Sequence, residues 1–209
     1  MIYCSLGEFC HASGLLKSNG LKHASYPFDW IFSSAEMVKH CIEDDFKTFL
    51  SKSEYTTNAS EPDLAEHAFY ATMVENHQGV ETKEKVIFNH HNPLTKEEHY
   101  SYFERCVNRF RELLSSSEDK TFVMFQRDTP DVSTAVFNSL MLSKFLNEYT
   151  SNFKLLVLHH NVTGEQSYQL IKGENLKFLT FTTISESIGT EFANKKDDEF
   201  LNKLFNEIR

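Results

Sequence analysis

The second half of the chain alternates short apolar runs with longer segments whose apolar residues recur at helical spacing. This spacing predicts helices at Lys96–Leu114, Val132–Tyr149, Glu165–Ile171 and Asp197–Ile208. The short runs are typical of buried strands and lie at Thr121–Gln126, Phe153–His159 and Leu176–Thr182. Strands separated by helices imply crossover connections and a parallel sheet covered on both faces. The pattern therefore predicts an α/β fold, a three-layer α/β/α sandwich with a mostly parallel sheet.

The N-terminus begins with a further strand, turn and helix. Met1–Leu6 is apolar enough for a buried strand, Gly7 permits a sharp turn, and Glu8–Leu16 has the composition of a helix. Because the first strand is short and apolar, we expect it at the centre of the sheet. A second helix is predicted at Ala35–Ile42, where the preceding serines can cap its first turn.

Residues 51–95 are polar and irregular. Strand candidates within them are short and lie at Phe69–Met73 and Lys85–Asn89. Long irregular stretches in compact domains often cover active sites. We therefore expect one domain, residues 1–209, with a loop-rich insertion that covers the site.

Composition narrows the functional classes. The chain has 209 residues, 40% of them hydrophobic, and a formal net charge of −9, which disfavours nucleic acid as a partner. Neither a membrane-length apolar segment nor a secretory signal pattern occurs in the sequence. Its four cysteines form no C-x-x-C pair, which favours reduced thiols in the cytoplasm. The sequence gives no indication of oligomeric state.

Polar side chains follow three of the predicted strands, where an open parallel sheet binds its ligands. Ser5, Gly7 and Cys10 follow the first strand, Arg127 and Asp128 the second, and His159 and His160 the third. A cysteine in a first helical turn gains thiolate character from the helix dipole, and an imidazole can act as its base. This inventory predicts a nucleophile, a base and an anion-holding arginine in one cleft.

Each of these residues also has a structural alternative. Cys10 can be a buried, inert thiol, and Arg127 can pair with Asp128 at the surface. Adjacent residues of a strand face opposite ways, so we expect at least one of His159 and His160 to face solvent.

A buried carboxylate at Asp29 can cap the amides of Ile31 and Phe32 or orient the catalytic histidine. The same alternation implies that only one of His90 and His91 serves a site.

The familiar cofactor motifs are missing. The sequence contains no G-x-G-x-x-G, no P-loop and no G-x-S-x-G elbow, and adjacent histidines diverge too much for a preformed zinc site. We therefore expect no cofactor and no metal.

Two segments with their spacing resemble a known family. They are S-L-G-x-x-C at Ser5–Cys10 and S-Y-P-F-D-W-I at Ser25–Ile31, followed by D-D-F-x-x-F-L at Asp44–Leu50 and by His90-His91. This pattern resembles DUF1796, a bacterial and viral family described as "putative papain-like cysteine peptidase". The resemblance implies a nucleophile at Cys10 and a base among the later histidines.

Three classes of function follow. The first is a cysteine-dependent hydrolase or acyl-transfer enzyme, with Cys10, Asp29 and one of His90, His91 and His159 as catalytic residues. Its substrate-binding residues would be Ser5, Gly7, Arg127, Asp128 and His160. The second is a transferase of glycan biosynthesis with a phosphate- or CoA-containing donor, in which Cys10 is structural. The third is a non-catalytic interaction module. The expected partner is a small-molecule, glycan or peptide substrate.

Overall fold

The computed structural model describes residues 1–59, 61–78, 87–127 and 131–209. Its main sheet contains β1 (Ile2–Gly7), β4 (Lys120–Arg127), β5 (Phe153–Val162), β6 (Ser167–Lys172) and β7 (Leu176–Thr183) in the order β1-β4-β5-β7-β6. All neighbouring pairs are parallel except β6 with β7. The prediction of a mostly parallel α/β sheet is confirmed.

The helices are α1 (Cys10–Ser18), α2 (Ala35–Glu43), α3 (Ala68–Gln78), α4 (Glu97–Ser115), α5 (Val132–Tyr149) and α6 (Lys195–Ile208). Within the described ranges, none of them is both long enough and apolar enough to cross a membrane.

Two hydrophobic layers cover the sheet. Alternate strand residues such as Val123 and Phe125 pack with Leu16 of α1 and Leu204 of α6. The residues between them, such as Phe122, join a larger layer formed by α2, α3, α4 and α5. Because side chains alternate along a strand, each strand contributes to both layers, and this produces the three-layer sandwich.

The helix boundaries follow local sequence signals. Ser34 precedes α2 and its hydroxyl accepts a hydrogen bond from the Met37 N–H at 3.1 Å, which satisfies one of the unpaired amides of the first turn. Helix α1 continues two residues beyond the predicted end at Leu16, and its last turn is closed by the Asn19 N–H, which donates to the Leu15 carbonyl at 3.2 Å, and by the Gly20 N–H, which donates to the Lys17 carbonyl at 3.1 Å.

The first strand is not central, as the sequence had led us to expect. β1 pairs with β4 alone and lies at one edge of the sheet, while β5 holds the middle. Cys4 and Leu6 are fully buried because helices cover the faces of β1. Apolar character therefore reports the burial of a strand's faces and not its lateral position in the sheet.

Two element predictions are wrong. Glu165–Ile171 contributes to strand β6, which pairs with β7 through a tight turn closed by the Gly173 N–H and the Leu176 carbonyl at 2.7 Å. An edge strand buries little, so its period-2 signal was lost. Phe69–Met73 lies in α3, where Tyr70 and Val74 are buried four residues apart, as on one helix face.

The insertion contains more structure than its composition suggested. A two-stranded sheet pairs β2 (Tyr55–Thr57) with β3 (Ala65–His67), and Phe88 makes a single bridge to Ala65. The first part of the strand predicted at Lys85–Asn89 lies outside the described residues. The expectation of a single domain stays a prediction.

Candidate functional site

The turn between β1 and α1 is fixed by buried hydrogen bonds. Gly7 has a φ of 87°, which favours glycine, and its N–H donates to Ser5 Oγ at 3.2 Å. Ser33 packs against the turn, with its hydroxyl donating to the Leu6 carbonyl at 2.9 Å and its N–H to the Glu8 carbonyl at 3.2 Å. Ser5 and Gly7 therefore shape the turn that positions Cys10, and the Ser5 hydroxyl is occupied within it.

Cys10 lies in the first turn of α1, as the sequence indicated, but its surroundings disfavour the thiolate. Its side chain is buried, with 4% of the residue exposed, and this burial raises the pKa of the thiol to about 11. The N–H of Cys10 lowers the pKa, but burial outweighs it, and the charge of Asp29 raises the pKa further. Burial thus opposes the thiolate character expected from the helix dipole, because the dipole acts on a desolvated sulfur.

The thiol also lacks an adjacent base. Within the described ranges, no hydrogen bond joins Cys10 Sγ to an imidazole. All four cysteines are free and buried, so no disulfide competes for the sulfur.

Asp29 forms a buried ion pair instead of contacting a histidine. Its Oδ2 accepts the Tyr26 N–H at 2.7 Å and pairs with Lys22 Nζ, which also lies 5.7 Å from the Trp30 ring centroid. Burial raises the pKa of the carboxyl, and Lys22 and the Tyr26 N–H act in the opposite direction. The observed partners thus differ from both the Ile31–Phe32 amides and the imidazole that we had considered.

A cluster of titratable groups does form at the carboxyl edge of the sheet. His160 Nε2 lies 2.6 Å from Thr183 Oγ1, and His11 Nδ1 lies 2.7 Å from Ser187 Oγ. The His11 ring stacks on Phe125 at 4.3 Å. Burial lowers the pKa of His11 to about 3 and that of His160 to about 4, and Arg127 lowers both. The two imidazoles are therefore neutral at pH 7, and their burial makes them weak bases in the resting state.

His160 retains an unused proton acceptor or donor. Its Nδ1 is buried and has no hydrogen-bond partner within the described ranges. Both His160 and His159 are buried, so the expectation that one would face solvent is wrong. Helices cover both faces of β5, and alternation sends the two rings into different layers rather than into water.

On the other face of the sheet, the same carboxyl edge carries a second group of polar side chains. Gln126 Nε2 donates to the buried Glu8 carboxylate at 3.1 Å. His159 Nδ1 lies 3.3 Å from Asn161 Nδ2, and burial lowers the pKa of this histidine.

Our sequence reasoning did not assign a role to Glu8 or His11. Their signal was their position, since both directly follow the first strand.

Arg127 ends β4 beside this cluster. Its guanidinium carbon lies 3.2 Å from the centroid of the Phe9 ring, a cation–π contact that holds it next to the β1–α1 turn. Asp128, the predicted partner of Arg127, lies outside the described residues.

His90 and His91 lie elsewhere, against aromatic side chains. The His90 ring meets Trp30 edge-on at 6.1 Å, and the His91 ring stacks on Tyr102 at 4.3 Å. Burial lowers the pKa of His91 to about 4. The predicted residues are thus divided: Arg127 and His160 share the sheet edge, Asp29 is electrostatically coupled to Cys10, and the His90-His91 pair flanks a separate cavity.

Comparison with known proteins decides the family. A family profile described as "Putative papain-like cysteine peptidase (DUF1796)" matches residues 1–163. The chain belongs to this family. Searches of curated proteins and of solved structures gave no match. In this DUF1796 protein the matched region ends directly after β5 and includes Cys10, Asp29 and all the histidines discussed above.

The site has the components for proton transfer and anion binding. Neutral imidazoles, a buried carboxylate and a guanidinium converge beside the first turn of α1. Within the described residues, no three His, Cys, Asp or Glu side chains are grouped as metal ligands.

Proposed function

We propose that this protein is a hydrolase or acyl-transfer enzyme in which Cys10 is the nucleophile and the carboxyl edge of the sheet receives the substrate. The observation that carries the proposal is the position of Cys10 between two residues of the edge. Phe9 lies under Arg127, and His11 belongs to the histidine cluster. The family description, a cysteine peptidase, supports the same class of reaction.

The chemistry requires a proton to leave the thiol. The sulfur attacks a carbonyl carbon, the Sγ proton passes to a base, and the leaving group takes a proton as the acyl–sulfur bond forms. Water, or a second acceptor, then releases the acyl group from sulfur. Neutral His11 and His160 are the candidate acceptors at this edge, and Arg127 holds an anionic part of the substrate.

The pKa values decide when this transfer can occur. A thiol with a pKa of about 11 and an imidazole with a pKa of about 4 make proton transfer unfavourable by roughly 10 kcal/mol in the resting state. Burial causes both shifts, so admitting a polar substrate or water reduces both of them. The proposal therefore requires that substrate binding hydrates the sulfur and brings it to a base.

Covalent labelling tests this requirement. Peptidyl vinyl sulfones resemble substrates, whereas iodoacetamide reports only the resting thiol. The labelling rate of each reagent at pH 7 is divided by its rate with a free thiol in solution. By this ratio, at least one vinyl sulfone from a panel of different peptide sequences should label Cys10 faster than iodoacetamide does. Peptide mapping by mass spectrometry assigns the site, and buried Cys106 serves as the internal control. Equal protection of Cys10 and Cys106 from every reagent would contradict the proposal.

A second candidate is a transferase that uses a phosphate- or CoA-containing donor, with glycans among its acceptors. The raised pKa and burial of Cys10 favour it, because they suit a structural thiol. In that case Arg127 would bind the donor anion, and Cys10→Ala would keep its activity. The cytoplasmic location and the class of substrate stay predictions.

A further inference from the structure

A basic cavity lies apart from the sheet edge, between the end of α1, the segment after it and α4. It encloses about 610 Å³, and its cationic or titratable lining consists of Lys17, Lys22, His23, Arg105 and Arg109. Trp30 and Tyr102 form aromatic walls. No carboxylate is present among the described lining residues, although the chain as a whole carries a formal net charge of −9.

Composition does not explain this cavity. The chain has 30 acidic and 21 basic residues, so its composition alone does not lead us to expect a lining with several cations and no carboxylate. The cations come from three separate segments that the fold brings together. Arg105 and Arg109 are four residues apart on α4, where like charges repel. Such a cluster is more stable with an anion between its members.

The neighbouring arginine of α4 shows what an ordinary surface cation does here. Arg111 Nε donates to Asp45 Oδ1 at 2.7 Å, and its Nη2 donates to the Asp45 carbonyl. Arg105 and Lys17 are exposed and form no ion pair with any described carboxylate. Among the residues that the structure describes, Arg109 Nη1 donates only to the Ser25 carbonyl and the Cys106 sulfur, at 3.1 and 3.9 Å. Lys17, Arg105 and Arg109 are therefore available to a ligand, whereas Lys22 is paired with Asp29 and Arg111 with Asp45.

Neighbouring side chains hold Trp30 and Tyr102, the aromatic walls, in place. The His91 ring stacks on Tyr102, the His90 ring contacts Trp30 edge-on, and Lys22 is fixed between Asp29 and the Trp30 ring. Trp30 is half-buried, so one part of its ring is supported and another faces the cavity. A rigid indole beside several cations suits a ring that carries phosphate groups.

We propose that this cavity binds a phosphorylated small molecule, with its phosphates on Arg105, Arg109 and Lys17 and its ring against Trp30. Arginine forks match phosphate oxygens, and several cations together bind a group of two or more negative charges. The site uses neither Cys10 nor the sheet-edge histidines, so it stands independently of the proposed acyl chemistry.

The single tryptophan of the chain gives a direct readout. Pyrophosphate and ADP serve as probes, and intrinsic fluorescence and isothermal titration calorimetry report binding. We expect saturable binding of both probes that weakens as salt rises from 50 to 500 mM, with ADP tighter because it adds a ring to stack on Trp30. Adenosine, which lacks the charge, should bind at least about tenfold more weakly than ADP.

Variants assign the binding to this cavity. The double change Arg105→Ala and Arg109→Ala should weaken ADP binding by about tenfold or more, because it removes charge-assisted hydrogen bonds. Arg111→Ala, the matched control on the same helix, should remain within about twofold of the wild type, because Arg111 is engaged with Asp45. Cys10→Ala should bind as the wild type does, which separates this site from the acyl chemistry. The absence of heat and of a saturable signal at millimolar ADP, or equal weakening in the Arg111→Ala variant, would overturn the proposal.

Discussion

The buried ion pair of Lys22 and Asp29 holds the segment before Trp30 in place, and its removal should be costly. Their side chains are 10% and 1% exposed. Asp29→Asn keeps the shape and can still accept the Tyr26 N–H, but it leaves Lys22 as an uncompensated charge. Breaking a buried pair in this way costs about 3–5 kcal/mol. We expect urea denaturation to show a loss of this size in the free energy of unfolding.

A surface pair provides the matched control. Lys52 Nζ lies 2.8 Å from Glu97 Oε2, but these side chains are 52% and 73% exposed. Glu97→Gln should cost no more than about 1 kcal/mol, because water already screens this pair. The double variant Lys22→Met with Asp29→Asn removes both buried charges and should recover most of the loss.

The pH dependence of the free energy of unfolding tests the direction of the Asp29 pKa shift. Burial raises the pKa of Asp29 in the folded state, so its protonated form favours folding, and this contribution is lost as pH rises through the folded pKa. Lys22→Met removes the main opposing influence and raises this pKa further. The stability deficit of Lys22→Met should therefore be smaller at pH 5 than at pH 8. A deficit that grows toward low pH, or an Asp29→Asn cost no larger than that of Glu97→Gln, would refute the reasoning.

Three further outcomes test the turn, the thiol and the cap. The Cβ added by Gly20→Ala meets nothing within 4 Å, so this variant should lose only the positive-φ penalty of about 1–2 kcal/mol in the free energy of unfolding. Gly7→Ala places a Cβ 1.9 Å from Ser33 Oγ and should cost about 1–3 kcal/mol more in thermal or urea unfolding. Equal costs for the two variants would contradict the observed packing. Alkylation of Cys10 by iodoacetamide should be slow at pH 7 and rise toward pH 11, and a titration midpoint below pH 8 would show that the dipole outweighs burial. Ser34→Ala should lower the free energy of unfolding by about 1 kcal/mol through loss of the α2 cap, and an unchanged value would mean that the Met37 amide finds another partner.

Much of the fold could be predicted from the sequence because the signals were local. The helical spacing of α4 and α5 and the serine that caps α2 depend on neighbouring residues only. The position of β1 in the sheet depends on which strands pair, and this is a long-range property. Burial of its faces gives no information on pairing, so the edge position could not be predicted from its composition.

The site was harder to predict for the same reason. Strand-end reasoning singled out the turn at Gly7 and the polar ends of β4 and β5, and β4 and β5 are neighbours in the sheet. The choice between an exposed and a buried Cys10 stayed open, because desolvation depends on packing by distant segments such as the one containing Ser33. His90 and His91 lie against Trp30 and Tyr102, which is a contact between segments far apart in the chain.

The nucleophilic role of Cys10 is tested most directly by the turnover of Cys10→Ala. Wild type and variant should be assayed against one mixed library of peptide and ester substrates, with melting curves of both proteins to check folding. Cys10→Ala removes only a small buried side chain, so its stability should stay within about 1–2 kcal/mol of the wild type. We expect hydrolysis by the wild type to fall by about three orders of magnitude or more in the folded variant. Hydrolysis that persists in folded Cys10→Ala would contradict the account and favour the transferase.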